Sequence, residues 1–310
     1  MKKNILITGG CGNVGGSLAR RLVKNKDNNI TIVDNLITGS KSKLPNMDLK
    51  NWSFFEKDCN DFHAMSEIMH KKKFDYVFHY AALVGVKRTL QSPIMVLEDI
   101  KGIENMLKLS YENNVKRFFY SSSSEVYGEP VEFPQKEDTT PLNSRLPYAI
   151  VKNVGEAFVK SYSKEFGLNF SIFRFFNTYG PLQSSDFVMA KFLDQAINGK
   201  DITIYGDGSQ TRTFCYIDDN LDVVESIMNN DLVPNEVLNI GNNIEISMLD
   251  LAKKIINITK SNSKIIHLPS LEEGDMTRRQ PDISKMKKIL GRELVSIDNG
   301  INLLIEAQSW

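Results

Sequence analysis

Tyr148 and Lys152 stand four residues apart in "PYAIVK", residues 147–152, just after a proline suited to opening a helix. On a helix that spacing puts a phenol and an ammonium on one face. A phenol ordinarily titrates near ~10, and a neighbouring cation favours its phenolate, so the pair can serve as a general base near neutral pH. The same spacing also suits a plain amphipathic surface, and the context has to decide. "SSSSEVYG", residues 121–128, supplies that context, with four consecutive serines at the end of an apolar run. Hydroxyls are odd as packing there and natural in a site, because ligands bind outside the C-terminal ends of parallel strands. One of them can hydrogen-bond both Tyr148 and a substrate oxygen.

A second constellation lies at the other end of the same half. "LITGGCGNVGGSL", residues 6–18, follows an apolar run and spaces Gly9, Gly12 and Gly15 as G-x-x-G-x-x-G. Strand, glycine turn and helix in that order form a phosphate cradle. The first glycines allow a tight turn and close backbone approach to a pyrophosphate, and the last lets helix and strand pack closely. Asp34 ends the next apolar run, 19 residues after Gly15. A carboxylate there accepts from ribose hydroxyls and repels a 2′-phosphate, and Asn35 rather than Arg follows it, so NAD is expected over NADP. Asp58, after the third run, is placed to reach the adenine edge.

These residues need a scaffold, and the first half alternates two kinds of segment. Short apolar runs at 4–8, 30–34, 52–58, 75–82, 117–123 and 169–176 alternate with helical spacing at 13–25, 61–70, 93–113 and 147–166. Such alternation predicts an α/β fold, a Rossmann-type doubly wound parallel sheet covered on both faces. Residues 1–176 are expected to form the NAD-binding domain. Residues 177–310 then build mainly a smaller substrate-binding domain, with 213–240 returning to the sheet. "ITIYGDGSQTRTFCYIDD" reads as strand, turn and strand, and Ser247 as the cap of a helix with Asp250 three residues on.

Composition narrows the partners. Lys+Arg and Asp+Glu are both 38, so no electrostatic footprint for nucleic acid or an anionic membrane arises. The run Lys71-Lys72-Lys73 suits the C-terminal end of a helix. No apolar stretch approaches the ~20 residues that span a bilayer, and "NILIT" runs straight into glycines, unlike a signal peptide. Cys11, Cys59 and Cys215 and the four histidines lack disulfide or metal-ligand spacing. A cytoplasmic protein without metal is expected.

Taken together, TGGCGNVG, Asp34-Asn35, HYAA, SSSSEVYG, YAIVK, RFFNTYGP and GDGSQTR resemble the extended short-chain dehydrogenase/reductase family. Within it the chain looks like the NAD-dependent nucleotide-sugar epimerases, dehydratases and decarboxylases, from residue 3 to about 290. The resemblance implies a Ser-Tyr-Lys site of Ser123, Tyr148 and Lys152, with Ser124 and Glu125 beside it. It extends the cofactor set to Asn13, Val14, Gly39, Cys59, Tyr80, Ala81 and Ala82. It implies a nucleotide-diphosphate sugar held by Asn177, Lys191, Tyr205, Arg212 and Arg279, the arginines offering rigid forks to the diphosphate. It also implies a homodimer through segments 93–113 and 147–166, although Val151, Val154, Phe158 and Tyr162 can equally face the chain's own sheet.

Members share oxidation of a sugar hydroxyl, usually at C4, and then diverge. Ser124 stands where the dehydratases carry the Asp of an Asp-Glu pair, which disfavours dehydration. "SSSSEVYG" and "EGDMTRRQPD" resemble UDP-glucuronate decarboxylases, whereas Leu182 after "YGP" lacks their usual arginine. "FVMAKF" and the "GDGSQTR" segment read as a UDP-sugar 4-epimerase. The 4-epimerase is therefore the first expectation and the decarboxylase the alternative, followed by a dehydratase or a net dehydrogenase or reductase. A regulator that only binds NAD is disfavoured, since such proteins commonly lack the Tyr or Lys retained here.

Overall fold

The computed structural model describes residues 2–129, 131–270 and 278–307. Along the chain run β1 (Lys3–Thr8), α1 (Asn13–Leu22), β2 (Asn28–Asp34), β3 (Trp52–Glu56), α2 (Phe62–Lys72), β4 (Tyr76–His79), α3 (Val86–Gln91), α4 (Pro93–Glu112) and β5 (Arg117–Ser123). Then come α5 (Pro147–Phe166), β6 (Phe170–Phe175), β7 (Thr178–Tyr179), α6 (Val188–Ile197), β8 (Ile202–Tyr205), β9 (Thr211–Thr213), β10 (Cys215–Tyr216) and α7 (Ile217–Asn230). The chain closes with β11 (Glu236–Ile240), β12 (Glu245–Ser247), α8 (Met248–Thr259), β13 (Ile265–Leu268), α9 (Ser284–Leu290) and α10 (Ile297–Glu306).

Seven strands form one sheet in the order β11-β6-β5-β4-β1-β2-β3, and every pairing in it is parallel. Alternation along β1 explains why it must sit in the middle. Ile5 and Ile7 enter the hydrophobic cluster that includes Leu18 and Leu22 of α1 and Leu221 and Val224 of α7. Leu6, between them, enters the opposite cluster with Met65 of α2, Met106 of α4 and Val151 of α5. A strand apolar on both faces needs helices on both sides, and right-handed crossovers supply them.

Local signals set the helix ends that matter. α5 begins with Pro147 at its first turn and stops at Gly167, which takes the left-handed conformation (φ 73°). Ser247 caps α8, its hydroxyl accepting from the Asp250 amide at 3.0 Å. Other boundaries shift: β4 ends at His79 rather than 82, and α1 at Leu22 rather than 25. The segment expected as strand, turn and strand does form strands, but they part company. β8 pairs parallel with β13, and β9 pairs antiparallel with β12.

Candidate functional site

The C-terminal ends of β1 to β6 open onto one cavity of about 420 Å³. Its wall includes Gly9, Gly12, Asn13, Val14 and Gly15 from the first turn, Asp34 and Asn35 after β2, and Asp58 and Cys59 after β3. Tyr80, Ala81 and Ala82 follow β4, and Ser123, Ser124 and Glu125 follow β5. Tyr148 and Lys152 of α5, with Asn177 and Arg279, complete it. Residues scattered over some 270 positions converge because a parallel sheet ends all its strands on one side.

The glycine turn is tight enough to exclude side chains. Gly9 has φ +68°, and a Cβ on it would lie 2.6 Å from the Ala81 amide nitrogen; one on Gly15 would lie 2.4 Å from the Gly9 carbonyl oxygen. Asp34 is anchored at its rim. One carboxylate oxygen accepts from the Cys11 amide at 2.9 Å, and the other from the Leu36 amide at 2.8 Å. Gly39 does not line the cavity but supports it from below, since a Cβ there would meet Asp34 Oδ1 at 2.6 Å. Asp58 accepts from the Asn35 side-chain amide at 3.0 Å and the Asn60 amide at 2.8 Å. Asn13 Oδ1, Tyr80 Oη and Gln183 Oε1 are buried on this wall without a partner. A turn closed to side chains at Gly9 and Gly15, a fixed carboxylate and unpartnered polar atoms fit NAD.

At the other end of the cavity stands the expected triad. Lys152 is buried, and its Nζ donates to the Ser121 carbonyl at 2.7 Å and approaches Ser121 Oγ at 3.3 Å. Burial pushes its pKa down to about 8, against a raising influence from Asp99. The ammonium lies over the Tyr148 ring, 5.8 Å from its centre, rather than against the phenol oxygen. Desolvation, then Glu125, raise the Tyr148 pKa above the usual phenol value, while a hydrogen bond from Ser123 pulls it down. Ser123 Oγ also accepts from the Glu125 amide at 3.2 Å, which fixes the hydroxyl.

Glu125 and Arg279 form an ion pair on the wall, 2.8 Å apart, with Arg279 almost fully buried. Both were expected in the site, but not as partners. Three substrate candidates lie off this wall. Lys191 sits over the Tyr205 ring at 5.4 Å, and Arg212 donates to the Thr211 carbonyl at 2.7 Å. Asn177, on the wall, donates its amide to the Thr213 carbonyl at 2.9 Å. The "EGDMT" half of the decarboxylase-like segment, 273–277, lies outside the described residues.

Behind the triad runs a network that no motif announces. Ser122 donates to Glu156 at 2.6 Å, and Glu156 takes both Arg174 Nε at 2.8 Å and Nη2 at 2.7 Å. Arg174 also donates to Tyr127 Oη at 2.8 Å, which donates in turn to Asn239 at 2.8 Å. Glu156 falls one helical turn beyond Lys152, so YxxxKxxxE was its only sequence trace.

The model of the NAD-dependent epimerase/dehydratase family matches residues 5–241. The chain is 36% identical over 305 residues to UDP-N-acetyl-alpha-D-glucosaminuronate decarboxylase of Bacillus cytotoxicus, spanning 93% of this chain and 92% of that one. It is 34% identical to UDP-glucuronic acid decarboxylase 1 of Danio rerio over 98% of this chain and 72% of that one. Among solved structures, UDP-glucose 4-epimerase of Thermotoga maritima with UDP-glucose superposes with a TM-score of 0.92 at 31% identity, covering 98% of each chain.

Proposed function

Because the chain belongs to the NAD-dependent epimerase/dehydratase family, we propose that it modifies a UDP-sugar through a transient 4-keto intermediate and that the net reaction is decarboxylation of a UDP-uronate. NAD, when bound, supplies the hydride acceptor and donor. Tyr148 takes the proton of the sugar 4-hydroxyl, Ser123 orients both oxygens, and Lys152 holds a positive charge beside the phenol. Asn177, on the same wall, is the residue offered to the sugar diphosphate.

The observation that carries the choice of reaction is the Glu125–Arg279 pair on the wall beside Tyr148. A uronate oxidised at C4 is a β-keto acid. It loses carbon dioxide and leaves an electron pair at C5 that must receive a proton. An acid–base group fixed on the wall meets that need. A 4-epimerase returns hydride, not a proton, to carbon and has no use for one. The two decarboxylases at 34–36% identity support the same reading. A 4-epimerase remains the second reading, favoured by Leu182 in place of an arginine and by the Thermotoga maritima likeness.

This reading divides the chain into an NAD-binding part, 1–176 with β11 returning to its sheet, and a nucleotide-sugar part within 177–310. It places the enzyme in the cytoplasm, in keeping with three free, buried cysteines, and makes it a homodimer. No helix among the described residues is long and apolar enough to cross a membrane.

The test offers UDP-glucuronate, UDP-N-acetylglucosaminuronate, UDP-glucose and UDP-N-acetylglucosamine separately to purified protein without added reductant, followed by NMR and mass spectrometry. Loss of carbon dioxide from a uronate is the expected result. An isomer of unchanged mass from a neutral sugar would replace it with the second reading.

A further inference from the structure

One cation on the cavity wall has no part in the chemistry above. Lys43 lines the cavity and is half-buried. Among the described residues its ammonium makes no hydrogen bond and no ion pair. The other cations of this wall are accounted for. Lys152 donates to Ser121, Arg279 pairs with Glu125, Arg88 stands 3.3 Å from Asp186, and Lys57 is exposed. Lys41, two residues before Lys43, is exposed and pairs with Glu56 at 2.7 Å.

The backbone of Lys43 is held on both sides. Lys41–Lys43 forms a single turn of 3-10 helix capped by Ser40, whose hydroxyl accepts from the Ser42 amide at 3.3 Å. The Ser40 amide donates to the Cys11 carbonyl at 3.0 Å, which ties this turn to the glycine loop. From the other side, Arg20 of α1 donates through Nε to the Lys43 carbonyl at 3.0 Å and through Nη2 to the Ser42 carbonyl at 2.6 Å. Contact with α1 is close. A Cβ on Gly16 would lie 3.2 Å from the Lys43 carbonyl oxygen and 3.3 Å from Lys43 Cβ. The Lys43 side chain therefore starts against the first turn of α1, the helix end suited to an anion.

We propose that Lys43 is a cofactor-binding residue, the side-chain cation that meets the anionic pyrophosphate of NAD at the first turn of α1. The cradle itself carries no charge, since Gly9, Gly12, Asn13, Val14 and Gly15 offer only dipoles and amides. Asp34 and Asp58 meanwhile put carboxylates on the same wall, and these repel a phosphate. A lysine acts on phosphate as a point charge and offsets that repulsion. Burial lowers the pKa of Lys43, and Asp34 and Asp186 raise it. A half-buried ammonium without a partner is costly until an anion joins it. Because its backbone is already fixed, little ordering is lost when the pair forms.

The inference rests on the cofactor site alone, and it holds for decarboxylation and epimerisation alike. Equilibrium dialysis with 32P-labelled NAD, at low and high salt, gives the Kd of wild type, Lys43→Met, Lys43→Arg and Lys41→Met. Circular dichroism confirms that each is folded, and methionine keeps the aliphatic stem of lysine. Lys43→Met should weaken NAD about tenfold, the worth of one charge-assisted hydrogen bond, and flatten its salt dependence. Lys43→Arg should restore binding, and Lys41→Met should leave it unchanged. Adenosine, which lacks a phosphate, should compete for wild type and Lys43→Met with the same affinity. Unchanged NAD affinity in Lys43→Met overturns the proposal, and so does an equal loss of affinity for adenosine. Labelled UDP is dialysed separately, and a loss for UDP without one for NAD would give the cation to the sugar nucleotide instead. Weakened NAD binding in a protein that turns over no nucleotide sugar upholds the proposal while removing the functional reading.

Discussion

At Tyr148 opposing influences meet. Desolvation, Glu125 and Asp99 favour the neutral phenol, whereas Ser123 and Arg279 favour the phenolate. The free protein therefore holds its base protonated, and a cationic nicotinamide is what would tip the balance. Tyr148→Phe removes the proton acceptor while leaving the ring, so turnover should fall by about a thousandfold. NAD released from the denatured variant and measured by absorbance should match wild type. A Tyr148→Phe protein that keeps its turnover would remove Tyr148 from the chemistry. Pairs at helical spacing were legible in the sequence, as Tyr148 and Lys152 illustrate. Asp99 was not, because nothing in "LEDIKG" distinguishes a carboxylate facing a cavity from one facing water. Spacing puts Tyr148 and Lys152 on one face, and Ser121 decides where the ammonium ends.

Elements hold these residues by contacts along their length. α5 carries Tyr148, Lys152 and Glu156 on successive turns. Glu156 ties the helix to β5 through Ser122 and to β6 through Arg174, with both ionised side chains buried. A buried pair is worth little against an apolar replacement, yet losing one partner strands a charge. Glu156→Gln should thus cost about 3–5 kcal/mol of stability by denaturant unfolding. Replacing Glu156 and Arg174 together by methionine should cost less than that single change, and a milder single variant would show the pair to be dispensable. The bounds of α5 could be read directly, since Pro147 and Gly167 are local punctuation. The partners of β8 could not. Ile202–Tyr205 has the residues of a strand, but its neighbour Ile265–Leu268 is chosen by how α6 and α8 pack, which no window of sequence contains.

For the molecule as a whole, the order of apolar runs and helical stretches was enough for the sheet. What covers its outer helices was left open. Val151 is buried in the chain's own core, while Phe158 and Tyr162 pack partly against it. The same helix presents a groove lined by Val154, Ala157, Phe158, Ser161, Tyr162, Glu165 and Phe166, and Ile94 and Ile150 are exposed on α4 and α5. Light scattering should give a dimer, and Ala157→Glu, a charge on an exposed position of that groove, should give a folded monomer. A wild-type monomer at micromolar concentration would remove the homodimer. One further contact binds the molecule across its length. Gln135 donates its amide to the Gln280 carbonyl at 2.8 Å and accepts from the Asp282 amide at 2.8 Å, while Asn239 of β11 donates to the Gln135 carbonyl at 3.0 Å. The segment bearing Arg279 is thereby stitched to the loop ahead of α5. Anyone recombining this chain with a cousin to change its sugar cannot cut at a single junction after β6, because the donor of the later half must bring its own residues 131–137 or leave the seam unsewn.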